Sequence, residues 1–164
     1  MKRFFCFLLS LLSLFCFWGC DSSDPDTVLF YYSRNPEVYQ YFEEDSVIRA
    51  EQRDLTGHRN DLRYMLGLYL AGPLEENLTN PFTKSTRLIS VEQKEKTVFI
   101  ELSDHASTMT DSEFSLACAC LTLTCLHFTQ CDAVSIISGD RNITMNGDII
   151  LLYDPMPQQE PNGG

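Results

Sequence analysis

The spacing of hydrophobic and polar residues changes along this chain, and the first clear pattern favours β-strands. Thr27 to Tyr32 reads TVLFYY, a run of β-branched and aromatic residues that predicts a strand. A second, more polar extended segment runs from Ser46 to Arg53. Between them, the stretch NPEVYQYFEED combines three aromatic residues with acidic ones, which indicates a loop or a hairpin arm.

The period then changes from that of a strand to that of a helix. Apolar residues recur at i, i+3, i+4, i+7 and i+8, namely Leu62, Met65, Leu66, Tyr69 and Leu70. This spacing places them on one face of a predicted helix. The helix is expected to end at Ala71-Gly72-Pro73, because glycine can adopt a left-handed cap and proline cannot continue the helix. Residues 74–85 are polar and contain Asn80-Pro81, so they are predicted to form a loop.

A hairpin and a second helix follow the loop. Thr86 to Val91 and Thr97 to Leu102 are strand-like and are joined by the charged stretch EQKEK, which predicts a hairpin. Thr110 and Glu113 have the spacing of a capping box, and Met109 and Phe114 stand at the two positions of a hydrophobic staple. The predicted buried stripe of this helix comprises Phe114, Ala117, Cys118, Leu121, Cys125 and Phe128.

The last predicted strands are Ala133 to Ile137 and the two arms of ITMNGDIILLY, whose Asn-Gly pair is a strong hairpin signal. The order of elements predicts an α+β fold: a single compact domain with two helices packed on a small mixed sheet, plus a C-terminal hairpin. Local patterns leave the order of the strands open.

The N-terminus has the layout of an export signal. Lys2 and Arg3 precede residues 4–18, which carry no charge and are mostly Phe and Leu. This run of roughly 15 residues is shorter than the about 20 apolar residues that a spanning helix needs. Residues 1–19 are therefore predicted to be a lipoprotein-type signal peptide.

Cys20 is the predicted lipid attachment point, because only this cysteine of the N-terminal stretch follows a small residue, Gly19. Phe17-Trp18-Gly19-Cys20 resembles a bacterial lipoprotein box, in which the cysteine becomes the lipidated first residue. Phe17 and Trp18 depart from that pattern, so an uncleaved signal anchor is the alternative. Both interpretations place residue 21 onward on the extracytoplasmic face of the cell membrane.

Composition sets the remaining boundaries and limits the partners. Residues 20–26 are polar and are predicted to be a tether, residues 27–153 the folded domain, and residues 154–164 a disordered tail rich in Pro and Gly. The chain has a formal net charge of -11. Such a surface repels nucleic acid, so partners should be neutral or basic, or bound through apolar patches.

The densest cluster of reactive side chains is ACACLTLTCLHFTQC, which contains Cys118, Cys120, Cys125, Cys131 and His127. Two cysteines in a Cys-x-Cys pattern within a helix point about 200° apart, which disfavours a metal site. Cys118 and Cys125 are seven residues apart in the predicted helix, which is too far for a disulfide. Among these four cysteines, only a bridge to Cys131 is therefore plausible. Cys118 and Cys125 are expected to be buried as small apolar residues.

Two further groups of residues are candidates for functional sites. Ser103, Asp104 and His105 have the residue types of a hydrolase triad, but three consecutive side chains cannot reach one another in that geometry, so they predict a strand end and a turn. No catalytic residue, metal site or cofactor is therefore predicted. Three aromatic residues of the N-terminal loop are difficult to bury and form the predicted contact patch, namely Tyr39, Tyr41 and Phe42.

Several short motifs, in their order along the chain, resemble the GerMN domain of sporulation and spore germination proteins. They are the strand VLFYY, the helix end Leu70-Ala71-Gly72-Pro73, Pro81 in the loop, the strand Val98 to Ser103, Leu121 to Thr124 in the second helix, and Val134-Ser135-Ile136 with Gly139. The resemblance covers about 110 residues from Thr27 to Gly139. It implies a compact fold similar to the ring-building modules of secretion machines.

The resemblance also implies a function. Members of that family are frequently lipoproteins or membrane-tethered, and they have no agreed catalytic residues. The expected function is that of a non-enzymatic, lipid-anchored interaction or scaffold module linked to sporulation or spore germination. The expected partners are an envelope or sporulation protein, the membrane through the lipid on Cys20, and a further copy of the chain in a homo-oligomer. The alternative is an exported ligand-binding module for a small molecule or a peptidoglycan fragment.

Overall fold

The computed structural model describes residues 27–35 and 47–147, which contain seven strands and two α-helices. The strands are β1 (Thr27–Arg34), β2 (Ile48–Asp54), β3 (Leu78–Thr79), β4 (Leu88–Lys94), β5 (Thr97–Leu102), β6 (Ala133–Ser138) and β7 (Arg141–Asn146). The helices are α1 (Leu62–Ala71) and α2 (Asp111–Phe128), and a 3-10 helix spans Asp104–Thr108. The predicted α+β class with two helices packed on sheets is confirmed.

The strands divide between two sheets, a detail that the sequence pattern did not show. The first sheet has the order β2-β1-β3, with antiparallel pairs. The second has the order β4-β5-β6-β7, in which β5 and β6 are parallel and the other pairs antiparallel. The parallel pair requires a crossover, and α2 supplies it. The second sheet is therefore the mixed one.

Helix α2 forms as its sequence predicts, with a complete capping box at its start. The Thr110 hydroxyl accepts a hydrogen bond from the Glu113 backbone N–H, and the Glu113 carboxylate accepts one from the Thr110 N–H at 3.0 Å. Five of the six predicted stripe residues are buried, and Phe128 is half-buried. Cys120, Thr122 and Thr124 are buried as well, because α2 packs on β1 of the first sheet and on β6 and β7 of the second.

A side chain of α2 also covers an edge of the first sheet. The Thr124 hydroxyl accepts a hydrogen bond from the Tyr31 backbone N–H at 2.9 Å and donates one to the Cys120 carbonyl at 3.0 Å. Strand β3 pairs only with Ser33 and Arg34, so most of β1 has no strand on that side. The helix thus takes the place of a neighbouring strand and satisfies a backbone donor.

Helix α1 begins with an N-cap that was not predicted, and it ends in a geometry that differs from the expected left-handed cap. The Asp61 carboxylate accepts a hydrogen bond from the Tyr64 N–H at 2.9 Å, an N-cap that the apolar spacing did not indicate. Gly72 follows the helix with φ 103° and ψ 173°, a positive φ that suits glycine but is not the left-handed helical cap. The predicted helix end is confirmed, and its geometry is an abrupt turn into extended chain.

The C-terminal hairpin is partly described. A two-residue turn at Gly139-Asp140 joins β6 to β7, and Gly139 has φ 59°. The first arm of the predicted Asn-Gly hairpin, Ile143 to Asn146, lies in β7. Its second arm lies outside the described residues, as do the predicted signal peptide, tether and tail. The boundaries of these segments remain predictions.

Candidate functional site

The second sheet has an exposed outer surface that carries large apolar side chains. One face of this sheet packs on α2 through alternating apolar residues such as Val98, Ile100, Val134 and Ile136. The opposite face, here called the open face, is formed by the residues between them. It comprises Ser90 and Glu92 of β4, Phe99 and Glu101 of β5, Ser135 and Ile137 of β6, and Asn142 and Thr144 of β7.

Two large apolar side chains lie near the middle of the open face. Phe99 is 40% exposed and Ile137 is 39% exposed. Phe99 pairs with Ser135 and Glu101 pairs with Ile137 across the parallel strands, so the two apolar residues are diagonal neighbours. Polar side chains surround them, and Lys94 lies 5.9 Å from the Phe99 ring centroid. An apolar centre with a polar rim is the anatomy of a protein-binding surface.

A cleft, here called the α1 cleft, lies on another side of the molecule and has a volume of about 610 Å³. One wall is the end of α1, and the other is the loop that carries β3 and leads into β4. Its lining residues are Gly67, Leu70, Ala71, Gly72, Pro73, Leu78, Thr79, Asn80, Phe82, Lys84, Thr86, Arg87 and Leu88. This lining contains two cations and no carboxylate, in a chain that has 23 acidic residues.

A buried ion pair holds the first wall of the α1 cleft in place. Glu51 of β2 is 3% exposed and forms an ion pair with Arg53. The Glu51 carboxylate also accepts hydrogen bonds from the backbone N–H groups of Leu74 at 2.8 Å and Glu75 at 2.9 Å. Arg53 donates to the Gly72 carbonyl at 2.7 Å. Strand β2 therefore fixes the chain that leaves α1.

The second wall is tied to the first by Asn80. Its amide donates to the Leu70 carbonyl at 2.9 Å, and its carbonyl oxygen accepts from the Phe82 N–H at 3.0 Å. Phe82 is buried at the base of the loop. Both walls of the cleft are thus set by hydrogen bonds within the protein, which makes the cleft a preformed feature.

Gly67 leaves open space in the α1 cleft and lowers the stability of helix α1. A glycine within a helix is less stable than alanine by roughly 1 kcal/mol. No atom lies within 4 Å of the position that a Cβ would occupy at Gly67, so a side chain would fit there. The glycine is therefore not required for packing.

The four cysteines of α2 and the following turn are free and buried. Burial raises the pKa of Cys118 to about 12. Burial likewise raises the pKa values of Cys120 and Cys125 above their usual range. A thiol with a raised pKa is protonated at neutral pH and is a weak nucleophile and metal ligand. The prediction that Cys118 and Cys125 pack as apolar residues agrees with the structure.

His127 lies in α2, and Ser103, Asp104 and His105 lie at the end of β5 and in the 3-10 helix that follows it. His127 is exposed at its surface, and partial loss of solvation, followed by the charge of nearby Arg59, lowers its pKa. Ser103 follows β5 and accepts a hydrogen bond from the Arg87 N–H at 3.0 Å, while Asp104 begins the 3-10 helix. The Ser103 hydroxyl lies 3.4 Å from Nδ1 of His105, within hydrogen-bond distance. Asp104 and His105 both belong to the 3-10 helix, whose backbone carbonyls accept hydrogen bonds from Ser107 and Thr108.

The residues proposed from sequence as sites lie in other parts of the chain. Cys20, Tyr39, Tyr41 and Phe42 are outside the described residues, so their roles remain predictions. Within residues 27–35 and 47–147, no three His, Cys, Asp or Glu side chains come together as a metal site. Among the helices described over the same ranges, none is long and apolar enough to span a membrane.

Sequence reasoning missed both surfaces described above. Phe99 stands at an outward position of TVFIEL, where the alternation of the strand would have predicted a polar residue, and this mismatch is the signal that could have found the open face. The α1 cleft has no comparable signal, because Gly67 and Lys84 come together only in the folded chain.

A comparison with known protein families identifies the family of this chain. The sequence profile of the Germane family, described as sporulation and spore germination, matches residues 29–144. The chain belongs to the Germane family. The match begins within β1 and ends within β7, and it includes both helices, the open face and the α1 cleft. The resemblance to GerMN domains in the sequence is thereby confirmed.

Two solved structures are similar to this Germane chain. A candidate lipoprotein from Clostridium perfringens has 15% sequence identity and a TM-score of 0.47, with 74% of this chain and 87% of that chain covered. The tandem GerMN domains of the sporulation protein GerM from Bacillus subtilis have 19% identity and a TM-score of 0.49. That match covers 70% of this chain and 39% of the tandem protein. A comparison with curated proteins found no match.

Proposed function

We propose that this Germane protein is a non-enzymatic interaction module, anchored by a lipid to the extracytoplasmic face of the cell membrane, with a role linked to sporulation or spore germination. The family supports the biological process. The single structural observation that supports an interaction role is the open face, where Phe99 and Ile137 are exposed within a polar rim. The lipid anchor rests on Gly19-Cys20 in the sequence.

The occupant of the open face is a different protein with a neutral or basic surface. The rim includes Glu92 and Glu101, and Lys94 forms an ion pair with Glu92 at 2.8 Å. The whole chain has a formal net charge of -11. Two copies meeting through this face would bring like charges together, whereas a basic partner is attracted.

The open face favours a protein partner over the alternative of an exported ligand-binding module that stacks sugars on aromatic rings. Such a module needs a concave pocket with several aromatic side chains. The α1 cleft has one aromatic residue in its lining, Phe82, and that side chain is buried. The open face is instead a broad sheet surface with an apolar centre, which suits another protein.

Affinity capture with crosslinking from cells entering sporulation, compared with vegetative cells, tests the interaction role. The full-length protein is compared with a Phe99→Ser, Ile137→Ser double variant and with Leu74→Ser, a control that removes an apolar side chain that is 77% exposed away from the open face. The parent and the control should crosslink to the same protein, and the double variant should lose it. Equal recovery with all three, or no partner in either state, would refute the proposal.

The anchor is tested separately by mass spectrometry of the mature protein. The parent should carry acyl groups on Cys20 and lack residues 1–19, whereas Cys20→Ala should carry none. A parent without acyl groups would replace the lipid anchor with the uncleaved signal anchor. Protease protection in intact cells then tests the side of the membrane, because a domain on the extracytoplasmic face is accessible from outside.

A further inference from the structure

We propose that the α1 cleft binds a short peptide through its carboxylate. The positive end of the cleft would take the carboxylate, and the apolar floor would take the neighbouring side chain. This inference is independent of the proposed partner of the open face, because the residues that line the cleft are not those of the open face.

The charge of the cleft favours an anion. Lys84 and Arg87 are exposed, and neither forms an ion pair with a carboxylate among the described residues. No acidic residue lines the cleft, although acids outnumber basic residues by 23 to 12 in the chain. A local excess of positive charge on an acidic protein attracts anionic ligands to that place.

Arg87 is held ready for such a ligand. One guanidinium nitrogen, Nη1, donates to the Lys84 carbonyl at 2.6 Å and to the Thr86 carbonyl at 2.9 Å. These bonds orient the planar group while its remaining N–H groups are available. A guanidinium in a fixed orientation binds a carboxylate through two parallel hydrogen bonds and loses little conformational entropy in doing so.

The shape of the cleft favours a small peptide. Its volume of about 610 Å³ lies within the range of roughly 300–1,000 Å³ that is typical of small-ligand sites. Leu78, Phe82 and Leu88 supply an apolar floor. The cleft also lies between β3, at an edge of the first sheet, and β4, at an edge of the second. Edge strands offer backbone groups to an extended peptide.

Gly67 is the independent observation that points to a ligand. A helix residue with open space above it would be more stable as alanine or leucine, and glycine leaves this space in the cleft lining unfilled. Filling this space should therefore block the ligand without disturbing the fold. That expectation separates a binding role of the cleft from a purely structural one.

The test uses full-length protein in detergent micelles and a library of N-acetylated tripeptides with apolar side chains. Each tripeptide is made with a free carboxylate and as the matched C-terminal amide, and binding is followed by saturation-transfer difference NMR and then by titration. At least one carboxylate peptide should bind, and its amide should bind more weakly by about tenfold or more. Binding should weaken as salt is added.

Variants locate the site and control for folding. Arg87→Gln and Gly67→Leu should each weaken binding by about tenfold or more, and Lys84→Gln by about threefold. Gly67→Leu should melt at the same temperature as the parent or higher. Lys96→Gln removes the same charge at an exposed position outside the cleft lining and should leave the affinity unchanged.

Three outcomes would overturn the proposal. The first is the absence of binding by every carboxylate peptide at millimolar concentration. The second is binding that Arg87→Gln and Gly67→Leu leave intact. The third is inorganic phosphate binding as tightly as the best peptide, which would show a general anion site in place of a peptide site. Each of these results leaves the open-face proposal unaffected, because crosslinking to the protein partner is measured separately.

Discussion

The two helices of this protein differ in how much of their surface is buried and in the contacts that hold them. Helix α2 packs against both sheets and is buried on most sides, including the positions of Cys120, Thr122 and Thr124. Helix α1 is buried on one side, through Met65, Leu66 and Tyr69, and its exit is held by the Glu51 ion pair.

The difference between the helices separates the core of the protein from its binding surface. A helix that is enclosed on most sides has no free face for a ligand, so its reactive side chains become part of the packing. A helix that is enclosed on one side can form the wall of a site. Substitutions in and around the two helices should therefore have unequal effects on stability.

Glu51→Ala should have the largest effect, a loss of roughly 3–5 kcal/mol in the free energy of unfolding, because it leaves the largely buried Arg53 without its ionic partner. It also removes the acceptor of two backbone N–H groups at the exit of α1. Urea unfolding monitored by circular dichroism measures the loss. Glu92→Ala, which breaks the exposed ion pair with Lys94, should change stability by less than about 1 kcal/mol. Equal losses would contradict this account of the α1 exit.

Leu121→Ala should lower the free energy of unfolding by about 2–5 kcal/mol, because it leaves a cavity in the hydrophobic core. Leu123→Ala in the same helix is the matched control, since Leu123 is only half-buried and a smaller loss is expected. Both variants can be measured by urea unfolding. A loss for Leu123→Ala as large as that for Leu121→Ala would show that α2 is not enclosed as described.

Tyr32→Phe and Tyr69→Phe should differ although both rings are buried and stacked, with centroids 4.9 Å apart. The Tyr32 hydroxyl donates to the Tyr69 carbonyl at 3.1 Å, so its removal should cost about 1 kcal/mol. The Tyr69 hydroxyl is buried without a hydrogen-bond partner among the described residues, so its removal should leave stability unchanged or raise it by about 1 kcal/mol. Thermal melting distinguishes the two, and similar losses would indicate a bound water at Tyr69.

Glu113→Ala should show a small destabilisation that depends on pH. Hydrogen bonds from the Thr110 backbone and side chain lower the pKa of Glu113 in the folded protein. A lowered folded-state pKa stabilises the fold above the unfolded-state pKa, and this contribution is lost as pH falls through the folded-state pKa. The difference between parent and variant should therefore be largest near neutral pH and shrink in acid. Urea unfolding at several pH values measures it, and a difference independent of pH would contradict a charged capping box.

Much of the secondary structure could be predicted from local patterns. The capping box at Thr110 and Glu113 and the helix end at Gly72 depend on residues within one or two turns, so the sequence contains all the necessary information. The predicted strand boundaries differ from the observed ones by a few residues. For example, the strand predicted to end at Val91 continues to Lys94 as β4, because it pairs with β5 up to the turn at Glu95.

The second buried face of α2 and the candidate sites were harder to predict from the sequence. Thr122 and Thr124 were not predicted to be buried, because the apolar spacing of α2 describes one packed face and the helix has two. The open face could have been suspected from Phe99, which interrupts the alternation of β5. The α1 cleft could not, because its cations become a site only when Asn80 ties their loop to the end of α1.

The sequence by itself therefore determined the helices, most strands, the α+β class and the family, because these depend on short-range spacing and on motifs in order along the chain. The tertiary structure alone decided the division into two sheets, the enclosure of α2 and the position of the cleft. The physical reason is that these features rest on contacts between distant residues, such as Glu51 with Leu74 and Tyr31 with Thr124. Such contacts stabilise the protein only when the whole domain is folded.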